Sequence, residues 1–175
     1  MRGALIRRAR RPDAISFFRL IIALAEFEGL EPPDDAAQLR LMRDIFEYKR
    51  LGVFLATVDG MAVGYALYFY TYSSFLGRPT LYLEDIFVLG EHRRRGIGRS
   101  LFLRCAEEAR VKGCGRMEWA VLKWNSGAIG FYEREGAKRL SGWHYYRLDS
   151  SQIERLAGSE DKERKERSTR GGELR

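Results

Sequence analysis

The stretch that most restricts the fold is a buried strand that runs through an arginine- and glycine-rich turn into a helix. Thr80 to Leu89 read "TLYLEDIFVL", which is largely apolar, as in a central strand covered on both faces. The turn follows as "HRRRGIG", and a helix is predicted from Gly98 to Lys112. A central strand joined to a helix in this way favours the α/β class.

The remaining elements complete one mixed sheet flanked by helices, in the order β-α-α-β-β-β-α-β-α-β. Asp59-Gly60 separates two β-rich runs and is a strong signal for a two-residue hairpin turn. The other predicted elements are a strand over Ala4–Ala9, a helix opening at Pro12-Asp13, a helix over Asp35–Tyr48, a strand over Met117–Leu122, a helix over Ser126–Glu135 and a strand over Lys138–Leu148.

Length and composition predict a single domain. The chain has 175 residues, of which 45% are hydrophobic, and no apolar run is long enough to span a bilayer. We expect the domain to cover residues 1–150, followed by a short segment and a charged, disordered tail within 151–175. Only two cysteines occur, without the spacing of metal ligands, so a reducing cytoplasm and a metal-free protein are expected. An Arg-rich mitochondrial presequence at the start is the alternative.

The net charge of +7 raises the question of a nucleic-acid partner. Residues 158–175 carry six positive and five negative side chains, so most of the excess lies near residues 2–11 and 93–99. This distribution disfavours nucleic acid. The arginines and glycines of residues 93–98 instead favour phosphate, because glycines at a helix start expose backbone N–H groups. There is no Gly-Lys-Ser/Thr ending and no early Gly-x-Gly-x-x-Gly, which disfavours the two common nucleotide-binding loops.

The sequence resembles the GCN5-related N-acetyltransferases (GNAT) from about Ala4 to Asp149. Their acetyl-CoA pyrophosphate loop reads Gln/Arg-x-x-Gly-x-Gly/Ala, and Arg93, Gly96 and Gly98 occupy those positions. The stretches "YLEDIFV", "RRRGIGRSLF", "WNSGAIGFYEREGA" and "GW" narrow the resemblance to the spermidine/spermine (diamine) and thialysine acetyltransferase branch.

The resemblance implies a set of acetyl-CoA-binding positions. They are Ile86, Phe87 and Val88 along the pantetheine arm, Arg93, Arg94, Arg95, Gly96, Ile97, Gly98 and Arg99 around the pyrophosphate, Asn125 after the next strand, and Tyr132 at the thioester sulfur. The resemblance also implies that Glu84 faces the acceptor amine. Taken without the resemblance, the position of Tyr132 favours a packed aromatic over a catalytic residue. Glu84 alone is equally well explained as an ordinary strand carboxylate.

Amine acetylation needs a route for protons. A primary amine with a pKa near 10.4 is neutral in only about one molecule in 2,500 at pH 7, equivalent to about 4.6 kcal/mol. Glu84 and Asp85 are adjacent on the strand, and alternation places them on opposite faces, so at most one can face the cleft. An ordinary glutamate is a weak base, which favours relay through water. A protonated tyrosine can supply the departing thiolate with a proton.

The acceptor is expected to be a small cationic amine. Glu26, Glu28, Glu31, Asp34 and Asp35 form a run without a lysine or arginine, and Glu28 is the candidate for amine binding; a solvated acidic loop is the alternative. Phe75 could add an aromatic wall for alkyl chains, or simply pack in the hairpin. Ser73-Ser74-Phe75 stands where polyamine enzymes of the branch tend to have an acid and a tryptophan, which favours a shorter amine or a lysine-like amino acid.

Other functions remain open from the sequence. One is acetylation of a protein N-terminus or lysine. Another is a catalytically silent module that binds nucleic acid or senses CoA. A homodimer is a further expectation about partners.

Overall fold

A computed structural model describes residues 3–158 and divides after Asn125 into two compact units. The first unit contains, in chain order, β1 (Leu5–Arg8), α1 (Ala14–Glu28), α2 (Asp35–Met42), a π-helical segment (Arg43–Glu47), β2 (Gly52–Val58), β3 (Met61–Ser73), β4 (Arg78–Val88), α3 (Ile97–Val111) and β5 (Arg116–Glu118). Short 3-10 turns precede α1 at Arg11–Asp13 and follow β4 at Gly90–His92.

The five strands form one mixed sheet in the order β1-β2-β3-β4-β5. The first four are antiparallel to their neighbours, whereas β5 runs parallel to β4. The β2–β3 turn uses Asp59 and Gly60, both with positive φ (48° and 82°), as the hairpin signal requires. The predicted mixed α/β sheet flanked by helices is therefore confirmed.

Helix α1 packs on one face of the sheet and forms the main hydrophobic core with it. Phe17 on α1 is fully buried, and its ring lies edge-on to Tyr65 of β3 at 5.2 Å. The other buried members of this core are Ala14, Phe18, Leu20, Ile45, Val53, Leu55, Ala62, Leu67 and Phe87. Burial of this apolar area provides most of the driving force for this part of the fold.

Helix α3 covers the opposite face. Strand alternation turns Phe54 away from the core that contains Leu55, and Arg104 of α3 lies over the Phe54 ring at 4.6 Å. Tyr68 stacks on Phe54 at 5.2 Å, which extends the second core along β3. The strand β4 is thus covered on both sides, as its apolar sequence predicts.

The second unit contains α4 (Ser126–Arg134) and a further helix over residues 150–158. The strand predicted over Lys138–Leu148 is absent from the described residues, and that detail of the element order is wrong. Trp143 and Tyr145 alternate with Gly142 and His144, but both aromatic residues are exposed, as is Tyr146, so the pattern reflects no buried face. A strand needs a hydrogen-bonded partner, which sequence alternation cannot supply.

Two expectations concern the chain ends and membranes. The predicted disordered tail falls on residues 159–175, which lie outside the described residues. Within residues 3–158, none of the helices combines the length and the apolar character needed to cross a bilayer.

Candidate active site

The central strand β4 has an open edge next to the predicted phosphate turn. Strand β5 pairs with β4 only at Thr80, Leu81 and Tyr82. Beyond that point, none of the described strands pairs with residues 84–88 on this side, although β3 continues to pair with them on the other. Free backbone N–H and C=O groups along such an edge can bind an extended amide chain. The predicted cofactor positions Ile86, Phe87 and Val88 lie on this edge.

The Arg/Gly turn leads from β4 into α3 through left-handed backbone. Arg94 and Gly96 both have positive φ, 58° and 79°, and Gly96 is the N-cap of α3. This geometry turns the chain sharply, so that the first backbone N–H groups of α3 are aligned at the helix start. Such N–H groups and the positive end of the helix dipole favour an anion. Arg94, Arg95 and Arg99 are exposed around this turn.

Gly98, in the first turn of α3, tests whether the turn fits a ligand. Its φ is not in the left-handed region, and a Cβ added there would meet only the Val88 Cγ2 atom, at 3.9 Å. Neither backbone conformation nor packing within the protein therefore demands a glycine here. A glycine at this place allows a ligand to approach the backbone closely, which is what a pyrophosphate cradle requires.

The Arg93 side chain binds the sheet, which distinguishes it from its neighbours in the turn. Its Nε donates a hydrogen bond to the Val88 carbonyl at 2.8 Å. Its guanidinium lies over the Phe27 ring at 4.4 Å and over the Phe87 ring at 5.3 Å. Arg93 therefore links the end of α1, the end of β4 and the turn, and it holds the cradle in place.

A β-bulge changes the expected positions of the two adjacent carboxylates. Leu67 pairs with Asp85 and the next residue, Tyr68, pairs with Leu83, so Glu84 is the extra residue on β4. Asp85 is on the α1 face with Tyr65, whose hydroxyl donates to the Asp85 carboxylate at 3.2 Å. The expectation that Glu84 and Asp85 lie on opposite faces rested on simple alternation, which the bulge interrupts at Glu84, so it stays a prediction.

The structure adds Asp85 to the predicted pair of Glu28 and Glu84, because the charges of both residues act on the Asp85 carboxyl. Burial, together with the nearby charges of Glu84 and Glu28, raises the pKa of Asp85 to about 6, although the Tyr65 hydrogen bond opposes this shift. Burial also raises the pKa of Glu28, at the end of α1. Burial raises the pKa of Tyr65 well above its usual value, assisted by the charge of Asp85. This acidic cluster of Glu28, Glu84 and Asp85 favours a cation.

The raised pKa of Asp85 predicts a pH-dependent stability. The unfolded carboxyl has a pKa near 3.8 and the folded one about 6, so the folded state binds this proton more tightly. Stability is therefore highest below the unfolded value and falls as pH rises to 6, by about 3 kcal/mol in order of magnitude. We expect Asp85→Asn to remove this loss, measured by urea denaturation between pH 4.5 and 8.

The control for that measurement is Asp59→Asn in the exposed β2–β3 turn, where asparagine suits the positive φ. It should leave the pH profile of stability unchanged. An Asp85→Asn profile parallel to that of the wild type would show that Asp85 has an ordinary pKa.

Two aromatic residues that the sequence reasoning did not assign border the acidic cluster. Phe27 precedes Glu28 at the end of α1, and its ring lies 5.5 Å from Trp124, which follows β5. Both rings are partly exposed. The sequence could have indicated Trp124, because this residue opens the "WNSGAIGFYEREGA" stretch. It gave no such indication for Phe27, because an aromatic residue in α1 is expected for packing alone.

The other residues considered for binding the acceptor amine lie outside the acidic cluster. Phe75 is completely exposed at the tip of the β3–β4 hairpin, about 20 Å along β4 from Glu84 at 3.3 Å per residue. The structure does not bring it to the acidic cluster within the chain. Asp34 instead caps α2, accepting a hydrogen bond from the Ala37 backbone N–H at 2.7 Å. Glu26 and Glu31 are exposed.

The last two predicted residues, Asn125 and Tyr132, belong to different units. Asn125 ends the first unit, and its backbone N–H donates to the Leu122 carbonyl at 2.9 Å. Tyr132 belongs to the second unit, on α4, where its ring lies 5.2 Å from that of Phe131.

Comparison with known proteins identifies the family. A model of the acetyltransferase (GNAT) family matches residues 17–137, which include strands β2 to β5, the Arg/Gly turn and α4. The chain belongs to the GNAT family. This GNAT protein is an acetyl-CoA-dependent N-acetyltransferase, as its sequence resemblance implied.

Named relatives and solved structures agree with this membership. The chain is 36% identical over 170 residues to thialysine N-epsilon-acetyltransferase of Bos taurus, covering 90% of this chain and 99% of that one. It is 39% identical over 98 residues to L-ornithine N5-acetyltransferase NATA1 of Arabidopsis thaliana, covering 56% and 43%. The structure of AAC(6')-Iy in complex with a CoA-containing bisubstrate analog matches with a TM-score of 0.70 at 23% identity, covering 85% and 99%.

The side chains that commonly bind metal ions do not suggest a metal site in the described residues. Among residues 3–158, no three His, Cys, Asp or Glu side chains are grouped in a way that could hold a metal ion. The prediction of a metal-free GNAT protein stays a prediction.

Proposed function

We propose that this N-acetyltransferase transfers the acetyl group of acetyl-CoA directly to the primary amine of a small cationic acceptor. The proposal covers diamines, polyamines and lysine-like amino acids, and it favours the lysine-like class. The observation that carries it is the acidic cluster of Glu28, Glu84 and Asp85 beside the open edge of β4. In a protein with net charge +7, a buried carboxylate that lies within reach of the charges of two others favours a cationic ligand.

Acetyl-CoA supplies the activated acyl group, and residues of this chain are proposed to hold it. Ile86, Phe87 and Val88 offer the backbone edge for the pantetheine arm. The turn from Arg94 to Arg99 offers backbone N–H groups and guanidinium groups for the pyrophosphate. Arg93 holds this turn against β4 through Val88 and against α1 through Phe27. Asn125, which follows β5, is proposed to bind near the cofactor.

The carboxylates are proposed to bind the acceptor and to remove its proton. Glu28 and Glu84 attract the ammonium group, and Glu84 accepts the proton directly or through water. Asp85, with a pKa of about 6, is a stronger base than a carboxyl of ordinary pKa near 4 and shares this role. Below pH 6 Asp85 is protonated, which removes one negative charge from the cluster and weakens amine binding.

Tyr132 is proposed to donate its phenolic proton to the leaving thiolate. Tyrosine phenols are protonated at neutral pH and can act as general acids. The support is the position of Tyr132 within the "GFYEREG" part of the family stretch, in the second half of α4.

The choice among small amines is supported by the relatives and by the hairpin. The relatives are named for thialysine and for ornithine, both amino acids with a side-chain amine. The exposed hairpin tip carries Ser73-Ser74-Phe75 and no acid, so it offers no second carboxylate for a distant ammonium of a long polyamine.

The test is acetyl-CoA turnover, followed as thiol release, with a panel of acceptors. The panel contains thialysine, lysine, ornithine, putrescine, spermidine, a lysine-containing peptide and a peptide with a free N-terminus. We expect the amino acids with a side-chain amine to give the highest kcat/KM. Preference for a peptide would favour protein acetylation, and absence of turnover on every acceptor would favour a CoA-sensing module.

A substitution at Glu28 tests the acidic cluster directly. We expect Glu28→Gln to raise the KM for the preferred cationic amine about tenfold, because one of three attracting charges is lost, and to leave the KM for acetyl-CoA unchanged. Glu31→Gln, in the exposed loop after α1, is the matched control and should change neither constant by more than twofold. Equal effects of the two variants would mean that Glu28 belongs to a solvated acidic loop.

Several expectations stay predictions alongside this proposal. They are the domain boundary near residue 150, the homodimer, the cytoplasmic location and the absence of a nucleic-acid partner.

A further inference from the structure

A cavity lies in the first unit, away from the candidate active site. Its volume is about 280 Å³, and it is bordered by the ends of β1 and β2, the π-helical segment, β3 and the last turns of α3. The lining residues that matter here are Arg8, Phe46, Lys49, Tyr68, Glu108 and Lys112. A cavity of this size suits a compact ligand.

The charges around the cavity are unbalanced. Glu108 is its only carboxylate, and it is buried, forms an ion pair with Arg8 and accepts a hydrogen bond from the Tyr70 hydroxyl at 3.0 Å. Arg50 also lines the cavity, but Asp44 pairs with it at 3.0 Å. Three cations, Arg8, Lys49 and Lys112, therefore face one carboxylate, which leaves about two positive charges uncompensated. An anion with two charges would balance them.

The walls of this cavity carry unusual backbone. The π-helical segment Arg43–Glu47 forms one wall, and Lys49 after it has a φ of 55°, in the left-handed region that a lysine rarely adopts. Both conformations are uncommon and occur preferentially at functional sites. Lys49 and the partly buried Phe46 both line the cavity.

This cavity is separate from the proposed cofactor site. It includes Lys112, at the C-terminal end of α3, whereas the phosphate turn caps the N-terminal end at Gly96. Sixteen residues of helix separate the two, about 24 Å at 1.5 Å per residue. A single pyrophosphate cannot occupy both positions.

We propose that this cavity binds a small phosphomonoester. The phosphate, which carries between 1.5 and 2 negative charges at about neutral pH, contacts Lys49, Lys112 and Arg8. The organic part rests on Phe46. This site is independent of the proposed acetyl transfer and requires no change in that reaction.

The test uses phenyl phosphate as the probe on the full chain saturated with CoA, so that the cofactor phosphate positions are already filled. Isothermal titration calorimetry is expected to show one site, with binding that weakens as salt concentration rises. Lys112→Glu should weaken this binding at least tenfold, and the milder Lys49→Gln and Lys112→Gln about threefold each. Arg40→Glu, an equal charge change at an exposed position of α2 outside the cavity, should change it less than twofold.

Two results would overturn the proposal. One is absence of phenyl phosphate binding to the CoA-saturated protein. The other is an equal weakening by Arg40→Glu and Lys112→Glu in variants with unchanged circular dichroism, which would show a general effect of net charge. Neutral benzyl alcohol should not bind measurably, and inorganic phosphate should bind more weakly than phenyl phosphate, because inorganic phosphate lacks the ring that contacts Phe46.

Discussion

Gly98→Asp is expected to lower acetyl-CoA affinity by at least 100-fold in a protein that remains folded. A carboxylate in the first turn of α3 faces the proposed pyrophosphate position, and two like charges about 4 Å apart repel by about 1–4 kcal/mol at effective dielectric constants between 80 and 20. The folded state should persist, because a Cβ at this position meets only Val88, at 3.9 Å. The measurement is the Kd for acetyl-CoA by isothermal titration calorimetry.

Gly98→Ala separates charge from size in the same experiment. The methyl group crowds the close approach of a phosphate to the backbone but adds no repulsion, so we expect a smaller loss of affinity, about tenfold. Both variants should keep the Tm of the wild-type apo protein within about 3 °C. Unchanged affinity in a folded Gly98→Asp variant would remove the turn from the cofactor site.

Tyr132→Phe is expected to lower kcat about 100-fold with little effect on stability or on acetyl-CoA affinity. The variant retains the ring and its contact with Phe131, and it loses only the hydroxyl. General acids contribute about 10²–10⁴-fold, and a thiolate with a pKa near 8.5 departs fairly well unaided, so the lower end applies. The measurement is kcat at saturating acetyl-CoA and amine, across pH.

The control for this effect is Tyr145→Phe, a conservative change at an exposed tyrosine of the same unit, which should leave kcat unchanged. Chemistry must be the slow step, which a pre-steady-state burst of thiol would disprove. A Tyr132→Phe variant within threefold of wild type under that condition would assign Tyr132 to packing.

The architecture of the sheet was predictable because its signals are local. The hairpin at Asp59-Gly60 follows from two residues that tolerate positive φ, and the start of α3 follows from Gly96 at its cap. The turn from apolar β4 through the Arg/Gly stretch into α3 could be predicted for the same reason, and its proposed phosphate binding stays a prediction. Each of these depends on the conformational preferences of a few consecutive residues.

Local signals failed where a partner was needed. The aromatic alternation at Trp143 and Tyr145 predicted a strand, but strand formation requires backbone pairing that the alternation does not encode. The role of Arg93 was assigned from its place in a motif, whereas its hydrogen bond to Val88 and its contact with Phe27 depend on the packing of α1 against β4.

The sequence by itself determined the order of the elements up to α4, the mixed α/β class and the GNAT motifs, because side-chain periodicity and turn chemistry are properties of neighbouring residues. Only the tertiary structure decided the acidic cluster. The bulge at Glu84 arises from the register between β3 and β4, and it places the Asp85 carboxylate against Tyr65 and near Glu28 of α1. The raised pKa of Asp85 follows from burial and from charges distant in sequence, so no local pattern could reveal it.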